Sequence, residues 1–119
     1  MSRLLKIRIW DRRLLSFVPD MLLDFGMLTD PIIFEATAFT GVFDSNGKEL
    51  YEGDITVWST RDIQTGERFA YLYIVGFENG CFGLFPVGSS DEFQPFDNLS
   101  SGDVLVGNRF EHPYLLRGL

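Results

Sequence analysis

At 119 residues and 45% hydrophobic, the chain has the length of one domain and ample material for a single core, and its one cysteine, Cys81, excludes an internal disulfide. Charge sums to −7, yet residues 1–13 hold five of the ten bases against one acid, so residues 14–119 carry a net of −11 and would repel bulk nucleic acid. No apolar run approaches the ~18 residues of a membrane helix, and bases occupy the place of a signal peptide's apolar centre; the expectation is a cytoplasmic protein without a membrane partner.

The first segment alternates. Leu5, Ile7 and Ile9 point one way and Lys6, Arg8 and Trp10 the other, the period of a strand with one solvated face. Lys6, Arg8 and Trp10 are therefore a candidate binding face, two bases beside a stackable ring. Asp11-Arg12-Arg13 turns the chain into Leu14 to Val18, which Pro19 stops. Residues 20–30 fit one helical turn, two, or an irregular strand. After Pro31, a strand is expected from Ile32 to Phe39 and on through Thr40 to Phe43.

Asp44-Ser45-Asn46-Gly47 is the strongest turn signal, because Asn and Gly tolerate positive φ and the Asp side chain accepts from nearby backbone N–H groups. Lys48 to Tyr51 return from it, and Gly53-Asp54 leads into a strand over Ile55 to Trp58. Arg61 to Glu67 reads as a loop, Phe69 to Val75 as the most strand-like run, and Glu78-Asn79-Gly80 as the turn into Cys81 to Val87. Residues 88–102 read as a surface loop holding at most a short helical turn around Phe93 to Leu99. Val104 to Val106 form a last strand, and Pro113 bars an extended terminal strand or helix. Six to eight hairpin-linked strands without alternating helices predict a mainly β fold in one domain over 1–119, either a small antiparallel barrel or two packed sheets.

Little in the chain points to catalysis. One His and one Cys cannot supply the usual zinc ligands; His112, before Pro113, is expected to cap or pack, and Cys81 to be a buried, inert thiol. Gly76, Gly80 and Gly83 sit at hairpin positions and open no helix that would cradle phosphate. A calcium loop beginning at Asp44 would need glycine sixth and an acid twelfth, where Gly47 is fourth and Ile55 twelfth. Glu49, Glu52 and Asp54, with Tyr51 among them, are the best candidate acids, since gathered carboxylates hold Mg²⁺ for phosphoryl chemistry. The same Gly53-Asp54 pair is what a tight turn requires, and the turn is the preferred reading. No cofactor is expected.

Three segments together carry a resemblance. Leu5-Lys6-Ile7-Arg8-Ile9-Trp10-Asp11 resembles the "IKFRAWD" opening of the YopX family of phage and prophage proteins. Residues 39–55, Phe39 through Gly47 and Tyr51-Glu52-Gly53-Asp54 to Ile55, are similar nearly residue for residue to that family's "YTGLKDKNGKEIYEGDIV". Val106-Gly107-Asn108-Arg109-Phe110-Glu111-His112-Pro113 resembles its closing "IGNIYENPEL". The order is the family's own, with departures between Arg12 and Ala38 and between Thr60 and Ser101. The resemblance implies a phage or prophage source, an SH3-like barrel with extra strands, and no assigned activity. Asp44, Asn46, Gly47, Tyr51, Gly53, Asp54, Gly107, Asn108 and Pro113 are read as structural motif positions.

The leading expectation is a non-catalytic β module that binds a protein partner or itself. The alternative is a nucleic-acid-binding module using Lys6, Arg8 and Trp10. An enzyme would have to rest on Glu49, Glu52 and Asp54.

Overall fold

Nine strands among the described residues fall into two antiparallel sheets, in a computed structural model that describes residues 6–88, 92–97 and 102–117. The first sheet takes β1 (Ile7–Asp11), β2 (Ser16–Phe17), β3 (Phe34–Phe43) and β4 (Glu49–Tyr51) in the order β2-β1-β3-β4. The second takes β5 (Asp54–Arg61), β6 (Arg68–Glu78), β7 (Cys81–Pro86), β8 (Gln94–Pro95) and β9 (Val104–Asn108) in the order β8-β7-β6-β5-β9. The mainly β, barrel-like fold expected from the strand count is the fold observed.

Turn chemistry sets the hairpins. The Asp44 Oδ1 accepts from the Asn46 and Lys48 backbone N–H groups at 2.9 and 2.8 Å, and Gly47 takes the positive φ, +79°, that closes the turn. The other oxygen of the same carboxylate accepts from Leu105 N at 2.9 Å, so one buried side chain ties the β3–β4 turn to β9 of the second sheet. Between β6 and β7, Asn79 and Gly80 both have positive φ, the requirement of a two-residue turn matched to strand twist. Ile9, Trp10, Val42, Leu50, Ile55, Val75 and Leu84 are buried, and Thr56 donates to buried Asp103 at 2.8 Å among them.

One part of the second sheet leaves the body. β9 covers β5 only from Asp54 to Val57, and β7 covers β6 only from Tyr73 onward. Past those points, among the described residues, Trp58–Arg61 pairs with Arg68–Tyr71 alone, a two-stranded arm ending in the 62–67 loop. The loop is held by Asp62, whose Oδ1 accepts from Gln64 and Thr65 backbone N–H groups. A radius of gyration of 15.9 Å exceeds the ~13.5 Å of a compact chain this long, as a projecting arm requires.

Some sequence expectations are corrected, and alternatives left open are resolved. The alternation of β1 does not give one solvated face: Trp10 and Asp11 are buried, because β1 lies between β2 and β3 and its Trp10 side is roofed by Phe17 and Phe110. The run from Leu14 to Val18 yields only the two-residue β2 after a turn in which Leu15 takes φ +52°. Residues 20–30 form two short turns, a 3₁₀ turn at Asp20–Leu22 and α1 at Phe25–Leu28, whose Asp24 side chain caps Gly26 N at 2.7 Å. Gln94–Pro95 is extended against β7 instead of helical, and part of the expected Phe93–Leu99 turn lies outside the described residues. Pro113 opens a single 3₁₀ turn over Pro113–Leu116, where its missing N–H costs nothing. Among the described residues no helix is long and apolar enough to cross a membrane.

Candidate functional site

The three segments that carry the family resemblance meet at one junction between the sheets. β1 brings Arg8 and Trp10, the Glu52-Gly53 turn brings Asp54, and the chain after β9 brings Arg109 and Phe110. Arg8 Nη2 lies 2.7 Å from Asp54 Oδ1, whose other oxygen accepts from Tyr51 N at 2.7 Å. The guanidinium also donates to Thr37 Oγ1 and to the Glu52 carbonyl, and it lies over the rings of Phe17 and Tyr51 at 4.7 and 4.9 Å. Trp10 stacks on Phe110 with centroids 5.4 Å apart and meets Phe17 edge-on at 5.0 Å. Burial pushes the Asp54 carboxyl above its usual range, against the pull of Arg8 and Tyr51 N.

Backbone constraints complete the junction. Gly53, at φ +92°, donates to Val75 O, and its carbonyl accepts from Arg109 N at 2.9 Å. A side chain there would meet Arg109 and Phe110. A Cβ on Gly107 would stand 2.7 Å from the His112 ring, so that glycine lets the imidazole pack beneath β9. His112 Nδ1 accepts from Asn108 N, and Asn108 in turn caps Phe110 and Glu111 N–H groups. Glu35 of β3 pairs with both Arg109 and Arg12; the Arg109 hydrogen bond above all holds its carboxyl below the usual range. Glu35, Phe17 and Phe110 were invisible to sequence reasoning, since nothing local to them signals contact with residues so distant in the chain.

The sequence-nominated residues therefore fall into different environments. Lys6 is exposed and pairs with Glu49 at 2.6 Å. Arg8 is largely buried in its pair with Asp54, and Trp10 is 6% exposed, which removes the ring from the expected binding face. Of the acids Glu49, Glu52 and Asp54, the first and last are spent on Lys6 and Arg8. Among the described residues no group of three or more His, Cys, Asp or Glu side chains could hold a metal ion. Cys81 is half-buried rather than buried, its Sγ donating to Glu78 O at 3.3 Å.

Two surfaces stand outside the junction. Residues 14–32 expose Leu14, Leu15, Met21, Leu22, Phe25, Leu28 and Ile32, and Ile7, Ile9, Leu23, Asp24, Phe25 and Leu28 line a cleft of about 300 Å³. On the arm, Trp58 and Tyr71 are direct cross-strand partners with rings 5.7 Å apart, with exposed Phe69 beyond them. The opposite face carries Ser59 and Ala70, then Arg61 directly across from Arg68.

Comparison with known proteins places the chain in a family. The profile of the YopX protein family matches residues 9–117. No curated protein sequence matches the chain. The crystal structure of protein EF1440 from Enterococcus faecalis is similar over 98% of this chain and 100% of its own, at 22% identity and a TM-score of 0.63, and thus shares the fold. With the three signature segments assembled into one junction and the profile spanning nearly the whole length, the chain belongs to the YopX family.

Proposed function

We propose that this chain is a non-catalytic protein-binding module, working in the cytoplasm of a bacterial host from a phage or prophage gene. The observation that carries the reading is the exposure of Met21, Phe25 and Ile32, at 89%, 87% and 83%, within one short segment. Apolar groups left in water at that density mark an interaction surface. The engagement of Glu49 and Asp54 with Lys6 and Arg8 supports binding over acid–base chemistry at the candidate acids. A β scaffold of the SH3-like kind implied by the family would hold such a surface in fixed relation to the junction.

The test is differential capture. The full chain and its Met21→Ser, Ile32→Ser variant, matched for melting temperature, are immobilised and exposed to host lysate or to soluble chain. A protein retained by the parent and lost from the variant is the expected result. Equal retention by both, or by neither, would overturn the reading.

A further inference from the structure

We infer that the β5–β6 arm of one copy receives the 20–32 segment of a second copy of this chain; the inference rests on the protein-binding reading and names its partner. Five of the described bases, Lys6, Arg8, Arg12, Arg13 and Arg109, have an acid within ion-pair distance. Of the four described bases that do not, Lys48, Arg61, Arg68 and Arg117, only Arg61 and Arg68 stand directly opposite one another, on the arm. Like charges facing across a strand pair repel, which leaves that position short of an anion. The nearby tip acids Asp62 and Glu67 make no ion pair with either, and Asp62 is occupied by the turn.

The arm face behind those arginines is shaped to receive a side chain. Ser59 and Ala70 form a floor of small residues, and Ser59, Thr60, Arg61 and Arg68 line a hollow of about 220 Å³. A hollow lined by Ser59, Thr60 and two arginines fits a carboxylate, whose apolar neighbour rests beside Ala70 across the strand pair. The chain itself supplies such a pair. From residue 14 to residue 47 there is no Lys or Arg, and Asp20, Asp24 and Asp30 alternate with exposed Met21, Leu22, Phe25, Leu28 and Ile32. Phe25 projects next to Asp24, so a seated phenyl ring brings a carboxylate to the arginine pair.

Both surfaces are exposed within a single copy, so neither covers the other in cis. The five apolar side chains of the 20–32 segment present on the order of 700 Å², most of the ~800 Å² that each partner gives a standard interface. Two such contacts made reciprocally would close a two-fold dimer.

Sedimentation velocity of the full chain over a wide concentration range, at low and at high salt, tests this. The parent should associate with rising concentration, and salt should weaken it. Arg61→Glu with Arg68→Glu should weaken association at least ten-fold, and Asp20→Lys with Asp24→Lys likewise. Mixing the two charge-reversed chains should restore a complex that neither forms alone. Because Asp24 caps α1, Phe25→Ser is the companion variant: it leaves the cap and should still abolish association. A parent that stays monomeric, or association indifferent to these substitutions, overturns the inference. If the parent is monomeric but holds a host protein through Met21 and Ile32, the binding-module reading stands and this partner is wrong. Salt-sensitive binding of a single-stranded oligonucleotide at Arg61 and Arg68, with the chain still monomeric, also overturns it.

Discussion

The junction and the arm are built from the same kinds of side chain and put them to opposite uses. At the junction, Arg8 meets Asp54, Trp10 meets Phe17 and Phe110, and Glu35 meets two arginines. On the arm, Arg61 faces Arg68, while Trp58 and Tyr71 lie tilted against each other at 42% and 47% exposure. What separates the two is how many elements surround them. β1 has a strand on either side and a roof of rings, whereas Trp58 lies just past the last residues that β9 and β7 cover. Composition supplies the vocabulary; neighbours decide whether a residue holds the fold or meets a partner.

If that contrast is right, disrupting the junction should be costly and disrupting the arm should not. The largest effect is expected for Asp54→Ala, which strands Arg8 beside two rings without its counter-ion. A loss of about 3 kcal/mol in urea unfolding is anticipated for a broken buried pair. A loss below about 1 kcal/mol would place Arg8 in water and erase the distinction from the arm. Asp44→Asn comes next, at about 2 kcal/mol, because one oxygen serving two turn N–H groups and another serving Leu105 N cannot all be replaced by an amide. Differential melts of that variant against the parent would measure it.

Gly47→Val should cost about 1–2 kcal/mol through the left-handed backbone alone, since a Cβ there touches nothing. An unchanged melting temperature would show that the turn relaxes freely. Acid probes the junction and its flanks more gently. The Glu35 carboxyl is lowered by Arg109 and then Arg12; those of Asp11 and Asp44 are lowered because hydrogen bonds overcome the opposing effect of burial. Groups depressed in the fold contribute stability above about pH 4 that is lost as pH falls through their folded values. Asp54, raised by burial, works in the other sense: its contribution is greatest in acid and declines as pH rises past the ordinary aspartate value. The depressed carboxyls of Glu35, Asp11 and Asp44 predict melting temperatures that fall on acidification below about pH 4, with Asp54 opposing the fall. Melts that rise steadily there would reverse the assignment. Smallest of all should be Trp58→Ser, at or below about 1 kcal/mol for a cross-strand pair at the surface.

The strands and turns were legible because their signals are local. Alternation marked Phe69 to Val75, and Asp44 to Gly47 carried their own hydrogen-bonding chemistry. Trp10 was misread because alternation assigns a face without saying what covers it, and its cover comes partly from Phe110 at the far end of the chain. The candidate acids are separated by the fold for a related reason: Glu49 and Asp54 look gathered in sequence, yet Glu49 pairs with Lys6 and Asp54 with Arg8. The arm was hidden too, since the pattern of β6 is the same whether a stretch has two neighbouring strands or one.

The chain's two tryptophans fall one in each region, Trp10 in the junction and Trp58 on the arm. Intrinsic fluorescence is thereby split into two channels. A collisional quencher such as acrylamide should extinguish the red-shifted emission of Trp58 first and leave the blue-shifted emission of Trp10 until the junction opens. Contact with the arm and loss of the fold can then be followed separately in one unlabelled sample, with Trp58→Phe and Trp10→Phe assigning each signal.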